Sequence, residues 1–412
     1  MVKNESANLR ATLESCASFA DEIVVLDTGS TDGTQEIAKE FIAKRSGALY
    51  ERPFENFSAS RNFLLDLCEQ GGTNACSPSY IVSNNHISPA FDVWKPCVFT
   101  LMLNGDEVLE STRLREELEK VRDAPDGAYC VTMQTRSAEA GGMVRQWPYT
   151  RILRVDAKWR YEGGRHERPV GPNREVDGPL LPGVVVVHRE SDPARKLKRM
   201  QEDDLPHFTK IVGDESLSLE QRAHAIFFLA ETHAAIGGMI CKRNERGLPV
   251  IDGGPFFSHQ LAAMALYMRY AMIAEQPDRE AYDPNKVHYA LTLYHMLAEQ
   301  VGIYQPLEMA QRMEAIVSVA PNQPEARFLL ARAAMRVDVR KGLFHAIAAA
   351  KVAHAAKENP TREVTEASLE WRCWHMAAAC AQQLKNEQQA ADLMKRAIAA
   401  GAPKELLKLK EE

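Results

Sequence analysis

The stretch Asp21-Glu22-Ile23-Val24-Val25-Leu26-Asp27-Thr28-Gly29-Ser30-Thr31-Asp32-Gly33-Thr34 predicts the architecture of the N-terminal part of the chain. An apolar run ends at an acid, small turn-forming residues follow, and a helical pattern begins at Thr34. A short apolar run bounded by turn signals is typical of a buried parallel strand. Open α/β sheets bind ligands at the carboxyl ends of such strands, and helix N-termini favour anions. We therefore expect Asp27 at the edge of a ligand crevice, and Asp32 with Gln35 fits a capping-box pattern behind it.

The composition is that of an ordinary globular protein and narrows the classes of partner. A chain of 412 residues predicts two or three domains. The net charge of −6 gives no overall basic field, which mildly disfavours DNA as a partner. We expect no membrane span, because no apolar run has the required length, and the charged first residues lack a signal-peptide core. The expected location is therefore the cytoplasm, and the eight cysteines, which include no C-x-x-C pair, are expected to be mostly reduced thiols.

Residues 1–205 alternate strand-like and helix-like runs, which predicts an α/β domain. Ser58 is predicted to cap one of its helices. Residues 69–96 are rich in Gly, Ser, Asn, Pro and His and are predicted to be an insertion or mobile loop. The strand candidates are Ile23–Leu26, Ala48–Arg52, Cys97–Leu103, Ala128–Thr135, Thr150–Val155 and Gly183–His188.

Residues 206–412 are predicted to form an all-α domain. They are rich in alanine, and their apolar residues recur at spacings of three and four with short breaks between segments. This pattern resembles paired-helix repeats of the tetratricopeptide kind. Such arrays present a binding face, so we expect a protein partner or self-association through this part of the chain.

Four further motifs follow the opening stretch in a fixed order. They are Ser60-Arg61-Asn62, Leu103-Asn104-Gly105-Asp106-Glu107, Arg151-Ile152-Leu153-Arg154 and Tyr161-Glu162-Gly163-Gly164-Arg165-His166-Glu167. Together with Val2-Lys3-Asn4-Glu5, this set resembles the family 2 glycosyltransferases of the GT-A fold, in particular those with tetratricopeptide-like repeats after the catalytic domain. The resemblance covers most of residues 1–200.

The resemblance implies a donor site for a nucleoside-diphosphate sugar and a divalent cation, Mn²⁺ or Mg²⁺. Asp106 would bind the cation, and the strand-end His188 is a candidate contact for the cation or the diphosphate. Asn104 would contact the ribose. The residues implied at the nucleoside and diphosphate are Lys3, Asn4, Glu5, Asp27, Gly29, Asp32 and Arg61.

The predicted reaction is inverting transfer of the sugar to an acceptor hydroxyl, which needs a general base. The resemblance favours Glu167 as that base, with Glu107 as the second candidate, and His166 could hold the acceptor or a phosphate. A glycan, a protein and a hydroxylated nucleic-acid base remain open as acceptors.

The chain departs from the family pattern at two points. Asn104 stands where the family has an acid, so metal affinity or donor choice could differ. The strand that precedes Val2-Lys3-Asn4-Glu5 in the family is either missing here or only two residues long. The pocket for the nucleoside base could therefore be built differently.

Two other classes of protein compete with this interpretation. One is a scaffold in which the helical repeats bind a protein and the α/β domain is a degenerate relic. The other, more distant, is a sugar-1-phosphate nucleotidyltransferase, which the lack of an opening Gly-rich basic signature disfavours.

Overall fold

The computed structural model describes residues 1–69, 98–136, 143–175, 177–189, 193–242, 254–274, 284–358, 365–366 and 368–403. The chain divides into two compact units, Met1–Glu190 and Ser191–Glu412. The domain boundary predicted at residue 205 lies inside the second unit, at the first residue of the helix Leu205–Gly213. Apart from Glu69, the predicted insertion lies outside the described residues. Cys76, His86 and Cys97, whose spacing in the sequence fits no standard zinc pattern, lie outside them as well.

The first unit opens with a parallel pair of strands flanked by helices. Strand β1 (Ile23–Asp27) pairs in parallel with β2 (Gly47–Glu51). Leu26 and Asp27 are fully buried, as expected for an apolar run in a parallel sheet. The helices around this pair are α1 (Leu9–Cys16), α2 (Thr34–Ile42) and α3 (Phe57–Glu69).

The residues before the first helix lie beside β1. Val2 forms an isolated parallel bridge with Asp27, donating to the carbonyl of Leu26 and accepting from the amide of Thr28. A cavity of about 740 Å³ adjoins Val2. Its walls include β1 and a third strand, β3 (Phe99–Leu101). In the described part of the chain, Val2 is thus the only pairing partner of β1 besides β2.

A mixed sheet forms the rest of the first unit, with strand order β3-β6-β5-β9-β4. Its remaining strands are β4 (Glu107–Glu110), β5 (Ala128–Arg136), β6 (Met143–Arg154) and β9 (Leu180–Arg189), and α4 (Leu114–Lys120) packs on β9. Only the β5–β9 pair is parallel. A small antiparallel pair, β7 (Arg160–Glu162) and β8 (Arg168–Val170), packs against α3. The sheet brings Glu107 at the start of β4 opposite His188 near the end of β9.

The second unit is helical, apart from the two-residue strand β10 (Thr365–Glu366). Each helix packs chiefly against its neighbours along the chain, which is typical of helical-repeat architecture. After α5 (Pro193–Arg199) and a π-helical turn, Met200–Asp204, the helices are α6 (Leu205–Gly213), α7 (Leu219–Ile240), α8 (Pro255–Ala274), α9 (Pro284–Gln300), α10 (Pro306–Val319), α11 (Pro324–Val337), α12 (Val339–Glu358), α13 (Ser368–Gln383) and α14 (Glu387–Ala399).

The predicted fold class, an α/β GT-A type domain followed by an all-α helical-repeat domain, is confirmed. Among the described helices, α7 alone has the length and mean hydropathy, 1.2, of a membrane span, but half of that stretch is buried inside the structure. Core helices of globular proteins meet the same criterion. The described cysteines are all free thiols.

Two predicted helix caps are wrong. The N-cap of α2 is Gly33, in the left-handed region at φ 88°, and Asp32, one residue earlier, accepts from the N–H of Thr34 and not from that of Gln35. Gln35 donates instead to Asp27, because the turn brings the two side chains together. Asn56, not Ser58, accepts from a backbone amide at the start of α3, and Ser58 donates to the carbonyl of Gly163.

Candidate functional site

Asp27 ends β1 with a carboxylate that the following turn holds on one side only. Its Oδ1 accepts from the backbone N–H groups of Gly29 and Ser30, both at 2.9 Å, and from Gln35 Nε2 at 3.1 Å. Burial raises the pKa of Asp27, but the hydrogen bonds from Ser30, Gln35 and Gly29 outweigh burial and hold this pKa below its usual value. Oδ2 is buried and has no hydrogen-bond partner among the described residues. The turn thus keeps the carboxylate charged while one acceptor oxygen stays unused.

A pocket of about 550 Å³ adjoins this carboxylate. Gly29, at φ 104°, lines it in a backbone conformation that side chains rarely adopt. The exposed Lys3 also lines the pocket, and its positive charge is complementary to the charge of a phosphate. The other lining residues are Asp27, Thr28, Gln35, Glu51, Arg52, Pro53 and Phe54.

Asn4 and Asp32 tie the first residues of the chain to the turn after β1. Asn4 Oδ1 accepts from the N–H of Thr31 at 2.8 Å, and its own N–H donates to Ser30 Oγ at 2.9 Å. Asp32 Oδ2 accepts from the N–H of Ser6 at 3.1 Å, and its Oδ1 accepts from Thr34. Burial raises the pKa of Asp32, but the hydrogen bonds from Thr34 and Ser6 together outweigh burial and lower this pKa to about 2. The side-chain oxygens of Asn4 and Asp32 therefore accept hydrogen bonds within the protein, and these bonds brace the rim of the pocket.

Glu5 belongs to the same braced segment and reaches the loop after β3. Its N–H donates to Thr34 Oγ1 at 2.8 Å, and its Oε2 accepts from Asn8 at 2.9 Å. A Cβ on Gly105 would lie 2.9 Å from Glu5 Cγ and 2.9 Å from Val2 Cγ1. A larger residue at this position would force the side chain of Glu5 or Val2 to shift, because the two segments approach so closely.

Five side chains from four segments form a buried network of alternating charge. Arg61 donates through Nε to Glu167 Oε1 at 2.5 Å and through Nη2 to Asn104 Oδ1 at 2.9 Å. Asn104 Nδ2 donates to Glu107 Oε1 at 3.0 Å. Arg151 Nη2 donates to the same oxygen at 2.5 Å, and the backbone N–H of Asn104 donates to Glu107 Oε2 at 2.8 Å. Two guanidinium groups thus balance two carboxylates, with one amide between them.

The network explains the asparagine at position 104. Its carbonyl oxygen faces the guanidinium of Arg61, and its amide nitrogen faces the carboxylate of Glu107. An aspartate here would set a second carboxylate about 3 Å from Glu107 with no proton between them. The departure from the family pattern therefore fits a local need for a neutral group that can both donate and accept.

Asp106 and His188 form a pair next to Glu107 of this network. His188 Nε2 lies 2.9 Å from Asp106 Oδ2, and both side chains are partly exposed. The hydrogen bond to Asp106 raises the pKa of His188, although burial acts against it. Burial raises the pKa of Asp106, but His188 outweighs burial and lowers it. Each group thus favours the charged form of the other.

The pair offers two ligands for a divalent cation when His188 Nε2 gives up its proton to solvent as the metal binds. In the parts of the chain that the structure describes, no three His, Cys, Asp or Glu side chains converge into a metal cage. Mg²⁺ sites that also use substrate phosphates commonly need only one or two carboxylates from the protein. The Asp106 oxygen and the His188 nitrogen, 2.9 Å apart, fit a cation that is completed by a diphosphate and water.

Most of the residues proposed from the sequence fall into three neighbouring groups of the first unit. One group surrounds Asp27, the second is the Arg61–Glu167 network, and the third is the Asp106–His188 pair. His166 precedes the buried Glu167, is itself exposed, and has a left-handed backbone at φ 49°.

Sequence reasoning gave no role to Arg151, Tyr149 and Tyr161. Arg151 and Tyr149 stack as a cation–π pair, with the guanidinium carbon 4.9 Å from the ring centroid, and Arg61 lies 5.2 Å from the ring of Tyr161. The signal that could have revealed Arg151 is a charged residue next to the apolar pair Ile152-Leu153 of a predicted strand, because a charged side chain that is buried there needs a partner.

The sequence of this site matches a known family model. Residues 1–70 match glycosyl transferase family 2. The predicted resemblance to this family is therefore confirmed over the stretch that contains Lys3, Asp27 and Arg61. The match suggests glycosyl transfer in general as the activity of the first unit, and it does not reach Asn104, Asp106, Glu167 or His188.

Comparison with other proteins adds little beyond this match. No curated protein has a sequence that matches the chain. Solved structures similar to it include MamA, at 9% identity over 51% of this chain and 95% of that chain, with a TM-score of 0.32. A chain titled MamA MSR-1 C2 has 15% identity over 50% and 96%, with a TM-score of 0.26. BtubC (BKLC) from P. vanneervenii has 10% identity over 51% and 91%, with a TM-score of 0.27. Similarity this low carries no information on function.

Proposed function

We propose that the first unit transfers a sugar from a nucleoside-diphosphate sugar to an acceptor hydroxyl, with inversion at the anomeric carbon. The observation that carries this proposal is the unpaired, buried Oδ2 of Asp27 at the end of β1, inside the stretch that matches the family. A buried acceptor without a partner costs free energy unless a ligand supplies a donor. The ring N–H of a uracil base is such a donor, and the adjoining pocket gives the base room.

The diphosphate would lie toward the Asp106–His188 pair. Asp106, His188 and the diphosphate oxygens would hold Mn²⁺ or Mg²⁺, and a cation there would offset charge on the leaving nucleoside diphosphate. Arg61 would support the diphosphate as well. Its Nη1 is buried and has no partner in the part of the chain that the structure describes, and its guanidinium fork suits phosphate oxygens.

Glu167 is the better of the two candidate bases. Glu107 is almost fully buried, and both its oxygens accept hydrogen bonds, from Arg151 and from two groups of Asn104. Glu167 gives Oε1 to Arg61, which leaves Oε2 for the hydroxyl of an acceptor. In the proposed step, the acceptor oxygen bonds to the anomeric carbon and its proton passes to Glu167. The bond from that carbon to the diphosphate breaks, and its electron pair stays on the phosphate oxygen.

The acceptor is proposed only by class, as a hydroxyl of a glycan, of a protein or of a modified nucleic-acid base. The second unit would bind a protein partner or a second copy of the chain, because its helices pack against their neighbours along the sequence, as the helices of repeat proteins do. A scaffold without catalysis is the competing function, and the intact set of Asp27, Asp106 and Glu167 argues against it.

A thermal-shift screen of nucleoside diphosphates and their sugars, with and without Mn²⁺, tests the proposal. A ligand that binds the folded state raises Tm by mass action. We expect one nucleotide to raise Tm, Mn²⁺ to increase the shift, and the matching sugar nucleotide to be turned over. Asp106→Ala should fold normally yet lose the Mn²⁺ effect and the turnover.

Asp156→Ala is the matched control for that variant. Asp156 is a largely exposed acid of the first unit that pairs with Arg154, so its loss should leave nucleotide binding unchanged. Absence of a shift with every nucleotide, or full turnover by Asp106→Ala, would overturn the proposed function.

A further inference from the structure

Strand β6 makes contact with both halves of the candidate site through two neighbouring side chains. The ladder between β5 and β6 shifts register at Arg151, and the Arg151 guanidinium lies over the ring of Tyr149, 4.9 Å from its centroid. Tyr149 Oη donates to the backbone carbonyl of Glu167 at 2.6 Å. Arg151 donates to Glu107 at 2.5 Å and to the carbonyl of Met102 at 3.4 Å. This stacked pair therefore contacts the backbone of the proposed base and the loop of the proposed metal ligand.

The contact with Glu107 extends to Asp106 through the loop between β3 and β4. Glu107 Oε2 accepts from the backbone N–H of Asn104, and the carbonyl of Asn104 accepts from the N–H of Glu107. These two bonds close the turn that carries Asp106. The carbonyl of Asp106 in turn accepts from the N–H of Arg189 on β9 at 3.1 Å. Asp106 thus lies in a turn that the hydrogen bonds of Glu107 close.

Arg151 holds the side chain of Glu107 in place. Glu107 is 2% exposed and Arg151 6% exposed, so water reaches neither group well. A buried carboxylate that loses its guanidinium partner is left as an uncompensated charge and moves toward water. This movement would release the backbone N–H of Asn104 and loosen the turn.

We propose that Arg151 is a positioning residue that, with Tyr149, fixes the separation between the Asp106 carboxylate and Glu167. This inference rests on the proposed function, since it assigns the spacing to a cation site on one side and to a base on the other. Arg151 acts only through Glu107. Its removal should weaken the cation site first and leave the nucleoside pocket around Asp27 intact.

The test compares Arg151→Met and Arg151→Lys with Arg154→Met in the full-length chain. Arg154 lies on the same strand and bonds Asp156 and the carbonyls of Arg122 and Ala124, so its loss removes a comparable set of bonds away from the site. Mn²⁺ binding in the presence of UDP is measured from the electron paramagnetic resonance signal of free Mn²⁺, and UDP binding without metal is measured by calorimetry.

We expect Arg151→Met to weaken Mn²⁺ binding about tenfold or more, because residues that orient a metal ligand typically contribute about 10–100-fold to metal affinity. Arg151→Lys should recover part of that loss, because it restores the charge next to Glu107 without the second donor. UDP binding without metal should stay within about twofold in all three variants, since none of them touches the pocket at Asp27. Arg154→Met should lower Tm without altering the affinity for Mn²⁺.

The two proposals fail in different ways. If the unmodified protein binds neither UDP nor Mn²⁺, the proposed function fails. If it binds both and Arg151→Met binds Mn²⁺ equally well, or Arg154→Met loses as much affinity, the positioning role of Arg151 fails while the function stands. Should Arg151→Met not fold, the comparison of Arg151→Lys with Arg154→Met decides the same question.

Discussion

Arg61 and Glu167 are paired inside the first unit, with Nε 2.5 Å from Oε1 and side chains that are 4% and 9% exposed. Helix α3 provides the guanidinium, and the segment before β8 provides the carboxylate. The pair therefore joins the matched N-terminal stretch to the proposed base across the core of the unit.

Replacing Arg61 with Met should strongly destabilise the first unit. Breaking a buried pair leaves Glu167 as an uncompensated charge, which costs about 3–5 kcal/mol. Chemical denaturation of the two proteins measures this difference in the free energy of unfolding. Arg52→Met is the matched control, because Arg52 pairs with Glu55 at the surface, where such a pair contributes about 0–1 kcal/mol. Similar losses in the two variants would contradict the importance of burial for the Arg61 pair.

Asn104→Asp should lower stability at neutral pH and recover it in acid. The new carboxylate would lie beside Glu107 at the distance that Asn104 Nδ2 now occupies, about 3.0 Å. Repulsion would raise the pKa of the carboxyl pair in the folded state, so the variant would bind more protons folded than unfolded. Its deficit in Tm should therefore shrink as pH falls from 7 toward the ordinary range of carboxyl pKa values, near 4. Tm of both proteins across this range gives the result, and a constant deficit would count against the proposed charge balance.

Asp27→Asn tests the nucleoside pocket. The amide can keep Oδ1 toward Gly29 and Ser30, but an NH₂ group would replace Oδ2 and could not accept from a base N–H. We expect UDP affinity to fall about tenfold to a hundredfold, as loss of a charge-assisted hydrogen bond predicts. Calorimetric titration measures the affinity, and Tm without ligand serves as the control for folding. Unchanged affinity would mean that Asp27 does not contact the base.

The second unit should lose stability in mild acid through His295 and His233. Burial is the main cause that lowers the pKa of each imidazole to about 4, and both groups are therefore neutral in the folded chain at pH 7. In the unfolded chain they bind protons below their ordinary pKa of about 6.5. Stability is complete above about 6.5 and decreases as pH falls toward 4, because unfolding takes up protons in that window. Melting curves should show a shallower decrease for His295→Gln, and an equally steep decrease in this variant would rule out the contribution of His295.

Local sequence signals predicted the fold. The apolar run before Asp27 and the helical periodicity after residue 206 are properties of neighbouring residues, and the structure confirms both elements. The run of four consecutive valines, Val184–Val187, likewise predicted a buried strand, and these valines lie in β9.

The tertiary contacts of the site could not be predicted in the same way. Arg61, Asn104 and Arg151 come together only because the chain folds, and each contact joins residues tens of positions apart. The capping-box prediction for Asp32 failed for a related reason. Asp32 bonds the N–H of Ser6, and that backbone reaches it only through the pairing of Val2 with β1.

The bracing of the pocket rim by Asn4 and Asp32 has a thermodynamic consequence for ligand recognition. The backbone of this rim is already ordered, so a nucleotide would not have to freeze a loop as it binds. Calorimetry should then show a heat-capacity change as small as the apolar area of one base implies, without the larger change of coupled folding. The side chains of Asn4 and Asp32, which look like ordinary polar surface residues in the sequence, would thus preorganise the pocket for its ligand.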